Sequence, residues 1–292
     1  MILLTGATGT VGKALLPVLL SSGEPVRVLV RDPRRLGRNR VDVQLALGNL
    51  AALGDLPIRR QAFRGVDTVV HLAASIRDEP AGSVEEVNGL GTARLLAASA
   101  AAGVERFVFF SAIGASPFQR TRFFRAKALA EAAVEASPLS TTVFAPSIVY
   151  DRDDPWVTSM RRLALLPLLP VSGSGRAAYQ PIWAADVARC VVAALEGNAT
   201  GRIELAGPEL LTYEQIARLI ALTAGRQRPV VHVPLNVVRL ILNAMRRVVG
   251  DAVFATWEEA ELLEVPMTSA AGTKGAQGLG VEPQRMADVL AA

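Results

Sequence analysis

The sequence predicts an α/β fold: a doubly wound parallel sheet with a smaller, mostly helical C-terminal cap. Three observations lead to this class. Short apolar strands alternate with helical patterns through the first half of the 292 residues, a glycine-rich turn follows the first strand, and the pattern loosens after about Tyr150. Apolar strands separated by helices are typical of a parallel sheet covered on both faces, and right-handed crossovers favour the doubly wound order.

Six strands and the helices between them make up the predicted sheet. Ile2–Thr5 opens the chain as a strand, and Val11–Ser21 follows as a helix because its apolar residues recur on one side. An alanine-rich helix ends before Gly103, which suits a glycine just past a helix end, and Pro138 ends the next helix. The remaining strands are predicted at Pro25–Val30, Val41–Leu47, Thr68–Leu72, Arg106–Phe110 and Ser140–Phe144, and the two helices at Val84–Ala102 and Arg122–Ala136.

Beyond Tyr150 the order of elements is less regular. Residues 151–175 hold a proline-interrupted apolar run, Leu163–Val171, and residues 177–206 return to a sheet-like order. The elements predicted in this half are strands at Tyr179–Trp183 and Arg202–Leu205 and helices at Asp186–Leu195, Tyr213–Ala224, Leu235–Val249 and Thr256–Glu264. The expected division is a sheet domain of residues 1–150, joined by 177–206, and a cap of residues 151–176 and 207–292.

Composition excludes several classes of function. With 51% hydrophobic residues the chain is not a disordered protein. A single cysteine, Cys190, excludes a disulfide framework, and only two histidines, His71 and His232, give no basis for a metal site. The net charge of +4 comes almost entirely from scattered arginines without an aromatic stripe, so no nucleic-acid partner is expected. No apolar run reaches the roughly 18 residues of a membrane span, and no signal-peptide pattern is visible, so a cytoplasmic protein is predicted.

A glycine-rich segment carries the strongest functional signal. Residues 5–12 read Thr-Gly-Ala-Thr-Gly-Thr-Val-Gly, directly after the first strand and at the start of the first helix. In this context the first glycine allows a tight turn, the second lets the backbone approach a pyrophosphate, and the third lets the helix pack on the strand. The helix N-terminus then attracts the phosphates. The segment predicts a Rossmann fold that binds a nicotinamide dinucleotide through Gly6, Thr8, Gly9, Thr10, Val11 and Gly12.

The residues after the second strand indicate which dinucleotide is preferred. An NAD site usually has a carboxylate here for the ribose 2′-hydroxyl, whereas Arg31 is the first polar residue in this chain. A guanidinium suits a 2′-phosphate through charge-assisted bonds, so NADP(H) is favoured over NAD(H). Asp32 leaves the alternative open, because a shift of one residue would place its carboxylate at the ribose. Arg34 and Arg35 follow, and at least one of them is expected in a solvated turn.

Further cofactor contacts are expected where the third and fourth strands end, at the carboxyl edge of the sheet. Asn49, after the third strand, could bond the adenine edge, and the similar Gly54-Asp55-Leu56 competes for this role. His71 in the fourth strand is expected to be a packed or backbone-bonded residue rather than a catalyst. The residues that follow it would also touch the cofactor: Leu72, Ala73 and Ala74.

Six motifs follow one another along nearly the whole chain. They are residues 5–12, Gly65–Ala73, Val87-Asn88 with Gly91-Thr92, Arg106–Ser111, Ala145–Tyr150, and Gln180–Trp183 before Asp186-Val187-Ala188. This succession resembles the extended and atypical short-chain dehydrogenase/reductases, including the NAD-dependent epimerase/dehydratase group. A closer similarity, to bacterial proteins related to the NADPH-binding accessory subunit of respiratory complex I, rests on residues 180–188, 207–213 and 279–283.

The resemblance implies a catalytic set that this chain keeps only in part. The family uses a tyrosine as general acid/base, a lysine four residues later on the same helix face, and a serine. Lys127 matches the lysine, and Phe123 stands where the tyrosine would be. Ser111 lies near the serine, although one alignment puts Ala112 there. Further cofactor contacts implied by the resemblance are Ala145, Pro146 and Ile148.

Two roles remain open for Lys127. It could bind the nicotinamide ribose and, as in isoflavone-reductase-like relatives, also transfer a proton, or it could be an ordinary solvated helix lysine. Only three of the 31 basic residues are lysines, which favours a specific role for this one.

Three functions fit the sequence. The first is an NAD(P)-binding protein with weak or no turnover, in a structural or assembly role near a respiratory membrane enzyme. The second is an NADPH-dependent reductase of an apolar small molecule, such as a lipophilic carbonyl, enone or quinone. The third is a sugar-nucleotide epimerase or dehydratase, which Phe123 disfavours.

The predicted helix Leu235–Val249 bears on the partner. It carries Arg239, Arg246 and Arg247 beside apolar residues. This pattern fits either a cap helix packed on the sheet domain or a peripheral contact with the inner face of a membrane or with a membrane complex.

Overall fold

A seven-stranded parallel sheet forms the centre of the computed structural model, which describes residues 1–78, 82–249 and 256–291. The strands of the described part are, in chain order, β1 Ile2–Thr5, β2 Val26–Val30, β3 Gln44–Leu47, β4 Thr68–His71, β5 Arg106–Phe110, β6 Ser140–Pro146, β7 Val149–Tyr150, β8 Leu169–Ser172, β9 Ala178–Tyr179, β10 Ile182–Trp183, β11 Gly201–Leu205, β12 Leu211–Thr212 and β13 Val230–Val233. The central sheet has the order β11-β6-β5-β4-β1-β2-β3, and all its neighbouring strands are parallel.

Helices connect and cover these strands. The α-helices of the described part are α1 Thr10–Ser21, α2 Leu56–Phe63, α3 Gly91–Ala101, α4 Arg122–Glu135, α5 Pro155–Leu163, α6 Ala184–Glu196, α7 Tyr213–Thr223, α8 Leu235–Val249, α9 Trp257–Leu262, α10 Lys274–Gln277 and α11 Met286–Ala291. Two 3₁₀ segments cover Pro33–Val41 and Ala51–Gly54, and a π-helical turn, Glu86–Leu90, leads into α3.

The strand order reverses between β1 and β4, and this position defines the crevice in which the site lies. From β1 the chain moves outward through β2 and β3, returns to the other side of β1 as β4, and continues through β5, β6 and β11. Thr5 pairs with Leu29 on one side and with His71 on the other, so three strands end at the same level. The predicted doubly wound Rossmann fold is confirmed.

Apolar layers cover both faces of the sheet. On one face α1 and α6 pack against each other and against the strands through residues such as Leu16 and Val187. On the other face α3 and α4 contribute Leu95 and Val134. Because the inner strands are covered on both sides, segments such as Ile2–Leu4 and Phe107–Phe110 are continuously apolar rather than alternating.

The cap has an apolar core of its own. α5, α7 and α11 pack around the three tyrosines of the chain, Tyr150, Tyr179 and Tyr213, which are all buried. Three two-stranded sheets complete this region: β7 with β10, β9 with β12, and β8 with β13. The part of the chain after β11 is mostly helical, as the sequence predicts.

Two strand predictions are corrected by the structure. Asp32 caps the first 3₁₀ segment by accepting a hydrogen bond from the Arg34 backbone N–H, so β3 begins only at Gln44. The stretch predicted as one strand, Tyr179–Trp183, forms the two short strands β9 and β10 in separate small sheets. Pro181 lies between them and has no N–H to continue a ladder.

Four α-helices of the described part, α2, α5, α10 and α11, and one distortion were missed by the sequence prediction. α2 and α5 each follow an aspartate, Asp55 and Asp154, and carry proline in their first two positions, which is a start signal visible in the sequence. The helix predicted at Val84–Ala102 contains the π-helical turn, and residues of that turn line the site described below.

Replacing Leu16 with alanine should lower the free energy of unfolding by about 3 kcal/mol, because this buried side chain fills the layer between α1 and the sheet and a cavity would remain. Chemical denaturation followed by circular dichroism measures the change. Leu210→Ala is the matched control at a leucine that is 65% exposed, and it should change stability by less than about 0.5 kcal/mol. Equal losses in the two variants would contradict this core.

Candidate functional site

The loop between β1 and α1 runs so close to the backbone after β4 that only glycine fits. Gly6 has a φ of +76°, and a Cβ on it would lie 2.5 Å from the amide nitrogen of Ala73. A Cβ on Gly12 would lie 2.6 Å from the Cα of Ala7, so α1 also packs tightly on the loop. These contacts fix the N-terminus of α1 at the carboxyl ends of β1 and β4.

Gly9 differs from these two glycines because it faces open space. It is the exposed N-cap residue of α1, and a Cβ there would meet only the Gly6 carbonyl oxygen, at 3.4 Å. The first turn of α1 carries no acidic side chain that would compete with an anion. The N–H groups of Thr10 and Val11 and the positive end of the helix dipole therefore form a cradle that fits a pyrophosphate.

A cleft of about 360 Å³ lies at the carboxyl ends of β1, β2 and β4. It covers the region that receives the adenosine and pyrophosphate parts of a dinucleotide in a Rossmann fold. The residues predicted as cofactor contacts that line it are Gly6, Thr8, Gly9, Arg31, Asn49, Leu72, Ala73 and Ala74.

Other lining residues were not singled out as contacts from the sequence. They include Leu29, Val30, Arg35, Gly48, Leu50, Ala51, Ser75, Glu86, Val87 and Arg94. Arg94 lies on α3, which comes close to the cleft because Gly91 has no side chain: a Cβ there would lie 2.8 Å from the Cδ1 of Leu50. No local motif marks Arg94, since its position depends on how α3 packs.

The charged residues after β2 differ in their contacts: two of them pair with each other, and two line the cleft. The Asp32 carboxylate accepts two hydrogen bonds from the Arg34 guanidinium, at 2.9 and 3.0 Å, and these bonds hold the pKa of Asp32 below its usual value. The Arg34 side chain is 83% exposed, whereas Arg31 and Arg35 line the cleft. This end of the cleft is therefore basic.

Asn49 and its competitor also take different positions. The Asn49 side-chain oxygen accepts a hydrogen bond from the Ala52 N–H at 2.8 Å, which orders the turn after β3 while the residue lines the cleft. Asp55 instead occupies the N-cap position of α2.

A buried polar network joins β1, β4 and α3 beneath the cleft. The Nδ1 of His71 lies 2.7 Å from the Thr5 hydroxyl, and its Nε2 lies 2.9 Å from the Thr92 hydroxyl. Because the Thr92 hydroxyl donates to the Asn88 carbonyl at 2.6 Å, it accepts from the ring, so Nε2 carries the hydrogen and Thr5 donates to Nδ1. Asn88 in turn binds the backbone of Ser75 through both atoms of its amide.

His71 is therefore a packed and fully bonded residue. Its bonds go to threonine side chains rather than to the backbone. Burial is the main cause that lowers the pKa of His71 to about 3, and the nearby Lys127 adds to the effect. The ring stays neutral at physiological pH and connects two strands at the switch point.

Lys127 is buried on α4 at the end of β5, beyond the lining of the cleft. Its ammonium group donates to the Phe110 carbonyl oxygen at 2.6 Å and lies 5.0 and 5.8 Å from the ring centres of Phe109 and Phe123. Burial lowers the pKa of Lys127 to about 7, although Glu131 acts in the opposite direction. The group can therefore hold or release a proton near neutral pH.

Ser111 is not among the residues that line the cleft. Its hydroxyl donates to one oxygen of Glu131, and the other oxygen accepts from the Arg202 guanidinium at 2.7 Å. This chain of bonds ties the end of β5 to α4 and β11. Ala112, the alternative for the family's serine, packs instead with Phe124.

The ends of β5 and β6 are covered by a C-terminal stretch of the chain, residues 262–269, which we call the crossing segment. Leu262, Val265 and Met267 of this segment pack on an apolar group made up of Ala112, Ala115, Phe123 and Phe124. Met267 also packs on Ile113, Ala145 and Ala206. Of the expected cofactor contacts, Ala145 and Pro146 are buried here at the end of β6, and Ile148 packs at the edge of the cap core.

The crossing segment is held by hydrogen bonds to Ser147 and to residues 178–180. The Met267 carbonyl oxygen accepts from the Ser147 hydroxyl at 2.7 Å, and its N–H donates to the Ala178 carbonyl at 2.9 Å. The Tyr179 hydroxyl donates to the Leu263 carbonyl at 2.6 Å, and the Ser269 N–H donates to the Gln180 side chain at 2.6 Å. The cover is therefore an ordered part of the fold.

Residues 1–78, 82–249 and 256–291 contain no cluster of three or more His, Cys, Asp or Glu side chains that could hold a metal ion. Within the same residues, no helix has both the length and the apolar character to cross a membrane.

Comparison with known proteins agrees with this geometry. Residues 6–198 match a protein-family model described as NAD(P)H-binding. The solved structure of UDP-glucose 4-epimerase from Thermus thermophilus in complex with NAD superposes with a TM-score of 0.74, at 21% identity, over 99% of this chain and 96% of that one. At this identity the likeness shows the shared fold alone.

Curated relatives have varied names. Subunit 9 of the NADH dehydrogenase [ubiquinone] 1 alpha subcomplex of Arabidopsis thaliana is 29% identical over 74% of this chain, but the match spans only 56% of that protein. The (4-alkanoyl-5-oxo-2,5-dihydrofuran-3-yl)methyl phosphate reductase of Streptomyces griseus is 31% identical over 77% of this chain and 74% of its own length. The photosystem II assembly factor Ycf39 of Guillardia theta is 26% identical over 80% of this chain and 74% of its own.

Lowering the pH should reduce the free energy of unfolding, because His71 binds a proton more readily in the unfolded chain than in the folded one. Its pKa is about 3 when folded and about 6.5 when unfolded, so stability present above pH 6.5 is lost as the pH falls toward 3. Between pH 7 and 5.5 the loss from this group should be about 1 kcal/mol. The measurement is the unfolding free energy of the native protein and of His71→Asn at both pH values. The variant should show the smaller pH dependence, and identical pH profiles would contradict a neutral buried ring.

Proposed function

Since this chain belongs to the NAD(P)H-binding family, we propose that it binds a nicotinamide dinucleotide with weak or no turnover and serves in a structural or assembly role beside a respiratory membrane enzyme. The proposal rests on what is found at the position where the family's acid/base group is expected. Phe123 occupies it, and side chains of the crossing segment pack on the same apolar group. A phenyl ring has no proton to transfer, and the chain itself fills the space in front of it.

The residues present fit the cofactor. In the proposal the pyrophosphate lies at Gly9 and the N–H groups of Thr10 and Val11, and the adenosine half lies in the cleft beside Asn49. The further contacts we assign are Gly6, Thr8, Gly12, Leu72, Ala73 and Ala74 for the adenosine and pyrophosphate half, and Lys127, Ala145, Pro146 and Ile148 for the nicotinamide half. When bound, the dinucleotide supplies hydride chemistry.

The basic end of the cleft supports a preference for NADP(H) over NAD(H). Arg31 and Arg35 line it, and a 2′-phosphate offers such guanidinium groups charge-assisted hydrogen bonds. The carboxylate that could instead bind a 2′-hydroxyl belongs to Asp32, and it is paired with Arg34.

The proposed domain division follows from these positions. We assign residues 1–150, joined by 177–206, to dinucleotide binding, and residues 151–176 and 207–292 to the cap. Ser111 takes a supporting role in the proposal, because its hydroxyl binds Glu131.

The names of two relatives support a partner that is a larger redox complex. One relative is named as a subunit of an NADH dehydrogenase and another as a photosystem II assembly factor. We propose that this protein likewise acts next to such a complex, at the cytoplasmic face of a membrane.

A second candidate is an NADPH-dependent reductase of a lipophilic carbonyl, enone or quinone. It is favoured by the Lys127 pKa of about 7, which suits a general acid, and by the reductase from Streptomyces griseus among the relatives. In this alternative the crossing segment moves aside, and Lys127 gives its proton to the substrate oxygen.

The two candidates differ in a turnover assay. NADPH oxidation against a panel of quinones and enones should not exceed background for the native protein, while titration shows NADPH binding. Lys127→Ala should weaken that binding about tenfold, because a bond to the ribose is lost. Lys274→Ala, at an exposed lysine, is the control and should bind normally. Turnover by the native protein that vanishes in Lys127→Ala would establish the reductase instead.

The cofactor preference has a matched set of variants. Arg31→Ala and Arg35→Ala should each weaken NADPH binding about ten- to a hundredfold and leave NADH binding nearly unchanged, because each removes a charge-assisted bond to the 2′-phosphate. Arg38→Ala, at an exposed arginine outside the lining of the cleft, is the control and should change neither affinity. Isothermal titration with both nucleotides measures this. Equal affinities of the native protein for NADPH and NADH would contradict the preference.

A further inference from the structure

Helix α8 carries apolar side chains on two sides, and the described residues of the chain pack against one of them. Leu242 is buried, and Val238 and Met245 are half-buried. A second set, at the spacing of one helix face, is exposed, and we call it the outer stripe: Val237, Leu240, Ile241 and Ala244. Leu240 is the most exposed of the large apolar residues of this stripe, at 71%.

The charged side chains of α8 and of the stretch that leads into it have one sign. Residues 225–249 contain five arginines and neither aspartate nor glutamate. Arg239 and Arg247 are exposed and lie two turns apart along one edge of the stripe, together with Asn243. Arg239 also lies over the Trp257 ring of α9, 5.5 Å from its centre, so this edge is ordered. The side chains of Arg246 and Val248 lie outside the described residues.

The surroundings of α8 supply the acidic groups that the helix lacks. α9 packs beside it and carries Glu258, Glu259 and Glu261. Glu259 bonds the N–H of Thr256 and lies 3.6 Å from Arg77, so it is turned toward its own helix start and the sheet domain. The outer stripe itself is bordered by arginine and asparagine.

We propose that α8 docks on an anionic lipid surface, with the outer stripe in the boundary between headgroups and acyl chains and the arginines bound to lipid phosphates. This inference rests on the proposed role beside a membrane enzyme and names the surface that holds the protein there. A helix with apolar residues on one exposed face and arginines at its edge lies in the plane of a membrane without crossing it. Juxtamembrane arginines gain attraction from anionic lipids.

The shape and composition of the stripe favour lipid over a protein partner. Its residues are all aliphatic, whereas the centres of protein interfaces are enriched in tyrosine, tryptophan and phenylalanine. It is also the convex side of a single helix, which a fluid lipid surface can surround. At 15 residues the helix is about 22 Å long, which corresponds to about four turns.

Vesicle co-sedimentation tests this directly. The full chain, with NADPH present, is mixed with vesicles of phosphatidylcholine alone or with about one third phosphatidylglycerol. The native protein should bind the anionic vesicles and bind the neutral ones at least tenfold more weakly. Leu240→Ser should reduce binding to anionic vesicles at least tenfold, because the variant has no leucine side chain to bury in the membrane. Arg247→Gln should reduce binding to anionic vesicles about fivefold, and high salt should also reduce it.

Two matched controls separate the stripe from general surface effects. Leu222→Ser removes a leucine that is 50% exposed on α7, and Arg40→Gln removes an exposed arginine far along the chain from α8. Both variants should bind vesicles like the native protein. Equal losses in Leu240→Ser and Leu222→Ser, or no vesicle binding by the native protein, would overturn the proposal.

A third measurement tests whether the outer stripe is instead a contact between protein molecules. Light scattering after size exclusion reports self-association. An assembly that Leu240→Ser abolishes, combined with vesicle binding that this variant leaves unchanged, would assign the stripe to a protein contact and overturn the lipid inference. NADPH titration of the same samples keeps the two proposals apart. Intact NADPH binding without vesicle binding overturns only the docking surface, whereas absent NADPH binding overturns the proposed function.

Discussion

The structure depends on the contact between the loop after β1 and the backbone after β4, which only glycine permits at Gly6. This contact places the start of α1 at the switch point of the sheet, where strand ends diverge and a crevice forms. The network from Thr5 through His71 to Thr92 lies directly beneath and holds the same two strands and α3 together. A side chain at residue 6 would separate these elements, and the cleft would lose its floor.

The two halves of the site differ in openness, and this difference leads to the proposed function. The half at β1, β2 and β4 is an open cleft with a basic end and an anion cradle. The half at β5 and β6 is covered by aliphatic side chains of the crossing segment, which are held by Ser147 on one side and Ala178 on the other. In the proposed function, such a protein holds a dinucleotide by its adenosine and pyrophosphate parts, and its own chain takes the position of a substrate.

The sequence predicted the sheet and the cleft because both depend on local patterns. Apolar strands, helix periods and the glycines at 6, 9 and 12 are readable without knowing how distant segments pack. The crossing segment was not predicted, since Val265 and Met267 reach the site only through packing of the C-terminal part on Ala112 and Phe123. Arg94 was missed for the same reason. The two faces of α8 could not be separated either, because an apolar residue does not show from its type whether anything covers it.

The central claim is that the chain itself closes the space in front of the nicotinamide. An experimental structure of the NADPH complex tests it most directly, through the atoms that face C4 of the nicotinamide ring. The account predicts that side chains of the crossing segment, Val265 and Met267, and the ring of Phe123 lie within van der Waals distance of that ring, with no solvent-filled cavity between them. A displaced crossing segment and an open cavity above C4, connected to solvent and large enough for a small carbonyl compound or quinone, would contradict the account.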